Sequence, residues 1–333
     1  MNQTLFFKNR IAVRSRASMV GPKEGKGPLA EYFDVIMPDD LLGKPSWEQA
    51  ESEMVRRTVL MCAEKGGLPA ESISVVLAGD LLNQLMSSGF AARELGTPFF
   101  GLYGACSTFV EGLVLGSVLI DGGYRENAVC AASSHFCTAE RQFRFPLELG
   151  TQRPPAAQWT ATAAGAMLLD ARKENAPAYV THGTIGRVID YQITDASHMG
   201  AAMAPAVADT IMAHFQDTKR DFRDYDLIAT GDLGWIGRNL LKELLIQRGV
   251  KVDDEKLFDC GANLFYQEQD PHAGGSGCGC VASVTCGYLM KLMEQRDVRR
   301  LLVVGSGAML STTSQQQGES IPGIAYAACL EGE

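Results

Sequence analysis

Cys106 stands in "GLYGACSTFVEGLVLGSVLIDGG" (101–123), between Gly-Ala and Ser-Thr, where a long apolar run begins that reads as a helix. The first turn of a helix leaves N–H groups unpaired and carries the positive end of the macrodipole, which favours thiolate over thiol. Cys106 is therefore a candidate nucleophile, a pocket-lining relic of one, or a small buried residue. His135 closes a strand-like run at 128–133, where side chains emerge into the crevice at the carboxyl ends of strands; it is either a pocket residue or a satisfied core histidine. Ser107 and Ser134 adjoin these two positions and share their candidacy. Arg141 and Arg144 in "AERQFRFP" can each fork onto a carboxylate or make a surface ion pair. Lys23 in "GPKEGKGP" belongs to a loop that closes over a pocket or to a solvated turn. His272 leads into "AGGSGCGC", where Gly274 and Gly275 open a turn whose N–H groups suit an anion. Asp232 in "ATGDLG" either caps the following helix or meets a cation beside His272.

These residues have to be positioned by a repeated framework. Residues 46–83 read as an amphipathic helix with Ser46 as N-cap and Gln49 at the capping-box position, ending near Gly66, then a β-branched run at 73–77 closed by Gly-Asp. Residues 200–235 repeat the pattern, so that "LAGDLL" and "ATGDLG" match and Asp80 corresponds to Asp232. The segments at 104–135 and 276–310 match in the same way, each a helix, a turn and a buried strand. The half-domain length of the repeat and its doubly buried strands predict an α/β fold of two fused halves, 1–175 and 176–333.

The 333 residues carry a net charge of -9 and no Lys/Arg block, which argues against nucleic acid as a partner. No apolar run reaches bilayer length, and the N-terminus has no signal-peptide pattern. Nine cysteines without a secretory signal read as reduced thiols. "CGC" (278–280) lacks the spacing of a zinc site, and the Gly-rich strings lack the dinucleotide fingerprint, so neither a metal nor a cofactor is expected. Phe99, Phe100, Tyr103 and Phe109 read as core or dimer-interface aromatics.

A duplicated α/β chain with a cysteine at a helix start of the first half resembles the thiolase superfamily. The strings "VGPKEGKGPLAEYFD" (20–34), "LAGDLLNQ" (77–84), "SSHFCTAERQFRFP" (133–146), "MAPAVADTI" (203–211), "TGDLGWIG" (230–237) and "HAGGSGCGC" (272–280) narrow the resemblance to the stage V sporulation protein AD family. It implies a thiolase fold, layered αβαβα with two central mixed sheets and dimeric, with Cys106 at the nucleophile position. It also implies a component of the system that moves dipicolinic acid (pyridine-2,6-dicarboxylate, carried with calcium) in spores. Such a component sits on the cytoplasmic side of the inner membrane, peripheral to it, beside membrane-embedded stage V sporulation A proteins.

The second half departs from the superfamily's chemistry. Acyl transfer there requires His/His, His/Asn or His/Cys to activate the carbanion and stabilise the oxyanion. Here Asp232 stands where the first of these is expected, "HAGGSGCGC" replaces the second, and Ser306 lies on a last strand without cysteine. An ionised carboxylate cannot donate to an oxyanion. The reading is a non-catalytic pocket for dipicolinate, lined by Cys106, Ser107, Ser134, His135, Arg141, Arg144, Lys23, Asp232, His272, Gly274 and Gly275, with no metal held by protein alone. The alternative is an active acyltransferase or ketoacyl synthase using Cys106.

Overall fold

The computed structural model describes residues 2–144, 152–171 and 176–332. The first half contains β1 (Thr4–Val20), β2 (Val35–Ile36), α1 (Trp47–Lys65), β3 (Val76–Gly79), α2 (Met86–Leu95), β4 (Phe99–Gly101), α3 (Thr108–Asp121), β5 (Asn127–Ser134), α4 (Phe136–Phe143), β6 (Trp159–Thr160) and β7 (Ala163–Asp170). The second half opens with β8 (Ala178–Ile185), α5 (Met199–Thr218), β9 (Leu227–Thr230), α6 (Gly234–Gln247), β10 (Leu257–Asp259), α7 (Cys260–Leu264) and β11 (Gly275–Ser276). It closes with α8 (Cys278–Val284), α9 (Met290–Gln295), β12 (Arg300–Ala308), α10 (Thr312–Gln316) and β13 (Gly323–Glu331). The expected boundary at 175/176 falls at the edge of the segment 172–175, outside the described residues, as do Phe145 and Pro146 of the "SSHFCTAERQFRFP" string.

Local signals act as the sequence suggests. Ser46 Oγ accepts the Gln49 N–H at 3.3 Å to start α1, and Gly66 ends it by donating to Cys62 O. The strand read at 73–77 forms with shifted ends, as Val76–Gly79, and the buried strand of the 276–310 segment spans Arg300–Ala308.

The strand order β10-β9-β12-β13-β8-β1-β7-β5-β3-β4 is a palindrome of the duplication. In the first half β3 runs parallel to β4 and β5, and β5 antiparallel to β7; β9, β10, β12 and β13 repeat this in the second. The two mixed sheets are joined. β1 pairs β7 on one edge and β8 on the other, with a break in the β8 register between Phe6 and Ile11. Helices α1 and α5 cover the outer faces, on β1, β5 and β7 and on β12 and β13 respectively. Between the sheets, α3 packs on strands of both halves and α8 on β5 and β7. These two helices form the middle layer of an αβαβα sandwich, and their largely apolar surfaces follow from burial on most sides. The N-termini of both middle helices meet at the carboxyl ends of the strands, and there the candidate site is built.

Candidate functional site

Cys106 lies in a single 3₁₀ turn (Ala105–Ser107), one residue ahead of Ser107, the N-cap of α3. Ala105 takes φ +51°, the left-handed region that an L-residue occupies at a cost, and this turn places the thiol at the wall of a cavity of about 700 Å³. Ser107 is fully buried and spends its hydroxyl on Gly104 O at 2.6 Å.

Opposite the thiol sits Asp232. Its Oδ2 accepts the Gly277 N–H at 2.9 Å and its Oδ1 accepts the Ser306 hydroxyl at 2.9 Å, while the Cys106 thiol also donates to it. Burial drives the Asp232 carboxyl up to about 7 against these three donors. Burial, then the Asp232 charge, push the Cys106 thiol well above its ordinary value. The helix-start expectation is therefore corrected: dehydration and an acidic partner outweigh the macrodipole, and the cysteine is a protonated thiol near neutral pH. Gly277, at φ +101°, has to be glycine, because a Cβ there would lie 2.6 Å from Ser134 Oγ.

The structure distributes the other candidates unequally. Arg144 lines the Cys106 cavity, already paired to Glu140 at 2.8 Å. Ser134, 0 % exposed, donates to Ala161 O and accepts the Gly279 N–H, fastening α8 to the first half. His135 does not reach the cavity wall: as N-cap of α4 its Nδ1 accepts the Cys137 N–H, and its Nε2 donates to Asp40 O at 2.8 Å. Burial holds its pKa below the usual histidine range, and it is the satisfied core residue of the two readings. Arg141 pairs with Glu48 beside the Trp47 ring, half-exposed on the surface.

Lys23 lies with its Nζ 3.3 Å from the Trp159 ring centroid, in a second cavity of about 430 Å³ that it shares with Glu24, Asp40 and Cys137. His272 is held between Pro154 O and Asp270, off the wall of the Cys106 cavity. The Gly-rich turn is committed to the fold. The Gly274 N–H goes to Pro271 O, its carbonyl takes the Trp159 N–H, and the Gly275 carbonyl takes Gln158 Nε2. Of the sequence candidates, the structure brings Cys106 and Arg144 to one cavity with Asp232 directly behind the thiol. It adds Glu111, Glu140 and Arg153, none of which carries a sequence signature, and Tyr103, which the sequence offers as a core or interface aromatic.

Among the described residues, one trio of potential metal ligands comes together: His182, Cys329 and Glu331, with ligand atoms within 4.8 Å of one another. Glu331 is occupied by Arg220 at 2.8 Å and Arg300 at 3.0 Å, and none of the trio lines the Cys106 cavity. No described helix is long and apolar enough to cross a membrane.

The family described as Stage V sporulation protein AD (SpoVAD) matches residues 1–331. A relative from Bacillus subtilis (strain 168), "Stage V sporulation protein AD", is 42% identical over 329 residues, covering 99% of this chain and 96% of the relative. Among solved structures, 3-oxoacyl-[acyl-carrier-protein] synthase III from Aquifex aeolicus VF5 matches with a TM-score of 0.59 at 11% identity, covering 96% of this chain and 99% of that one. Cerulenin-bound Xanthomonas campestris OleA matches with a TM-score of 0.63 at 13% identity, covering 98% of each chain. Both are thiolase-like, and at these identities they speak for the fold alone.

Proposed function

Since this chain belongs to the stage V sporulation protein AD family and has the thiolase-type fold, we propose that it binds dipicolinate, free or as the calcium chelate, without acyl transfer. The observation that carries this reading is the pairing of Cys106 with Asp232. The thiol faces an ample cavity, yet its partner is a buried acid with no capacity to stabilise an oxyanion when ionised. A thiol raised above its ordinary pKa is a poor acyl acceptor. A cavity with apolar walls and a few buried polar groups is what a small planar ligand requires. The cationic side is supplied by Arg153, since Arg144 on the same wall is paired to Glu140.

The same reading places the chain in sporulating cells, on the cytoplasmic side of the inner spore membrane and beside membrane-embedded stage V sporulation A proteins. It also makes the chain a homodimer. β4 is an edge strand, paired on one side to β3, and beside it Phe90, Phe100 and Tyr103 are exposed at 49 %, 47 % and 53 %. An apolar edge of this kind favours a second copy.

Titration calorimetry with dipicolinate, with and without Ca²⁺, tests the binding. Saturable heat that is weakened in Cys106→Trp, which fills the cavity, is the expected result; no heat at millimolar ligand overturns it. The competing acyltransferase reading predicts labelling of Cys106 by acyl-CoA, and the proposal predicts none.

A further inference from the structure

Arg153 is the cation of the cavity wall whose hydrogen bonding is left incomplete; among the wall's acids Glu111 Oε2 and Glu140 Oε2 are also without a partner. Its side chain is 6 % exposed. Nη2 spends its two hydrogens on Asp270, at 2.8 Å to the carbonyl oxygen and 2.9 Å to Oδ2. Nη1 is buried and has no hydrogen-bond partner among the described residues. A buried donor without an acceptor is costly, and such groups in native proteins are usually completed by something absent from the chain itself.

Arg144, the arginine that the sequence singles out, is different: Glu140 already neutralises it at 2.8 Å. Among the described residues Arg153 pairs with Asp270, a carboxylate 72 % exposed and so screened by solvent, while the Glu140 charge that it also feels is shared with Arg144. Lys23 adds to the positive charge. Both cations rest on Trp159, with the guanidinium carbon 4.8 Å and the Lys23 Nζ 3.3 Å from the ring centroid, and Phe136 stacks on the same ring at 3.8 Å. The Lys23 amino group has lost affinity for its proton through burial and the neighbouring Arg153 charge.

Asp270 keeps its position through an unusual turn. It takes φ +57° although a proline follows, and His272 takes φ +55° while its ring also binds the Asp270 carboxylate. A residue before proline prefers extended backbone, so this turn is held by its contacts, and what it holds is the Arg153 fork.

We infer that Arg153 is the anion-binding residue of the Cys106 cavity: Asp270 fixes the guanidinium through Nη2, and Nη1 binds a carboxylate oxygen of the ligand. The inference rests on the dicarboxylate reading of the cavity for its ligand class, and on the unpartnered Nη1 for the residue. Arg144 then serves the wall as an internal ion pair.

The test is calorimetry on wild type, Arg153→Gln and Arg153→Lys with three probes: dipicolinate, isophthalate, which keeps both carboxylates without the ring nitrogen, and the uncharged pyridine-2,6-dicarboxamide. Wild type is expected to prefer dipicolinate over the diamide, with affinity that falls as salt rises. Arg153→Gln is expected to weaken dipicolinate at least tenfold, leave the diamide within twofold and flatten the salt dependence. A merely structural role would weaken all probes together, and that result overturns the inference. Dipicolinate binding unchanged in Arg153→Gln overturns it too, while leaving the dipicolinate reading intact. If wild type binds isophthalate alone and Arg153→Gln loses it, the dipicolinate reading fails and the role of Arg153 stands. If wild type binds no carboxylate, both fall. Should the Gln variant not fold, Arg153→Lys answers the same question: a loss of at least threefold for dipicolinate is expected, and unchanged affinity overturns the inference.

Discussion

Asp80 and Asp232 end equivalent strands of the two halves, each after a glycine, and they do different work. Asp80 serves its own chain segment, accepting the Leu82 N–H at 2.9 Å and the Ser88 N–H at 2.7 Å and so fixing the start of α2. Asp232 gives nothing to the helix that follows it. It reaches across to Gly277, Ser306 and Cys106. The difference is made by a third residue. In the second half Asp259 accepts the Leu233 and Gly234 N–H groups at 2.9 and 3.0 Å, fixing the start of α6, and the Ala262 N–H and Thr230 hydroxyl besides. The register shows what replaces it in the first half: Asp259 sits opposite Thr230 on β10, and the corresponding position on β4, opposite Ala78, is Gly101. With no carboxylate at 101, Asp80 has to act at its own helix. With Asp259 present, Asp232 is released to the site.

Breaking this division of labour at Asp259 has the largest expected effect. Asp259→Ala leaves three buried N–H groups without their acceptor, at about 1–3 kcal/mol for each orphaned donor, while the Thr230 hydroxyl keeps Phe258 O at 3.2 Å. Unfolding by denaturant is expected to show a loss of about 3–5 kcal/mol. A loss within experimental error would mean that Asp232 can turn back to cap α6, and that the two halves are interchangeable after all.

A second effect is on pH dependence. Burial raises Glu51 to about 8, helped by the charge of Asp80, and raises Glu24 and Asp232 each to about 7. A carboxyl with a raised folded pKa keeps a proton that the unfolded chain has already released, so stability falls as pH climbs towards that folded value. Buried His135, His182 and His214 work the other way, but only below about 6.5, where the unfolded chain takes up protons. Between pH 6.5 and 8 the histidines no longer oppose the carboxyls. The denaturation midpoint is expected to rise as pH falls through that window, with a shallower slope in Asp232→Asn. A flat profile in wild type would show that these acids are ionised in the folded state.

The comparison also marks how far the sequence was legible. The duplication could be read because a repeat of helix and buried strand has a period, and the matching Gly-Asp pairs sit at the same phase of it. The position of Cys106 followed from the same pattern. What the period cannot carry is which side chain wins a shared set of donors. Asp259 in "LFDCGANL" has no motif, yet it decides what Asp232 does. Ending a strand, His135 has two readings in the sequence, a pocket residue or a satisfied core histidine. It also begins α4, and a histidine at that N-cap turns its ring back onto the Cys137 N–H. Arg153 lies in a segment of no regular structure, and only the tertiary approach of Asp270 and Trp159, 117 residues and 6 residues away in the chain, gives it meaning.

The smallest expected effect is the one closest to function. Replacing Asp232 by Asn keeps the shape and removes the charge that faces the Cys106 thiol. Burial remains and still holds the thiol above its ordinary value, so only the electrostatic part of the shift is released. Alkylation by iodoacetamide at pH 8, followed at Cys106 by peptide mass, is expected to speed up by about threefold to tenfold, because rate follows thiolate fraction. Asp80→Asn at the equivalent position is expected to change it less than twofold, since Asp80 exerts its charge on Cys278 instead. Equal acceleration by both would mean that the acids act as a diffuse negative field across the middle layer. Acceleration by Asp232→Asn alone ties the silent thiol to one carboxyl, the residue freed from capping by Asp259.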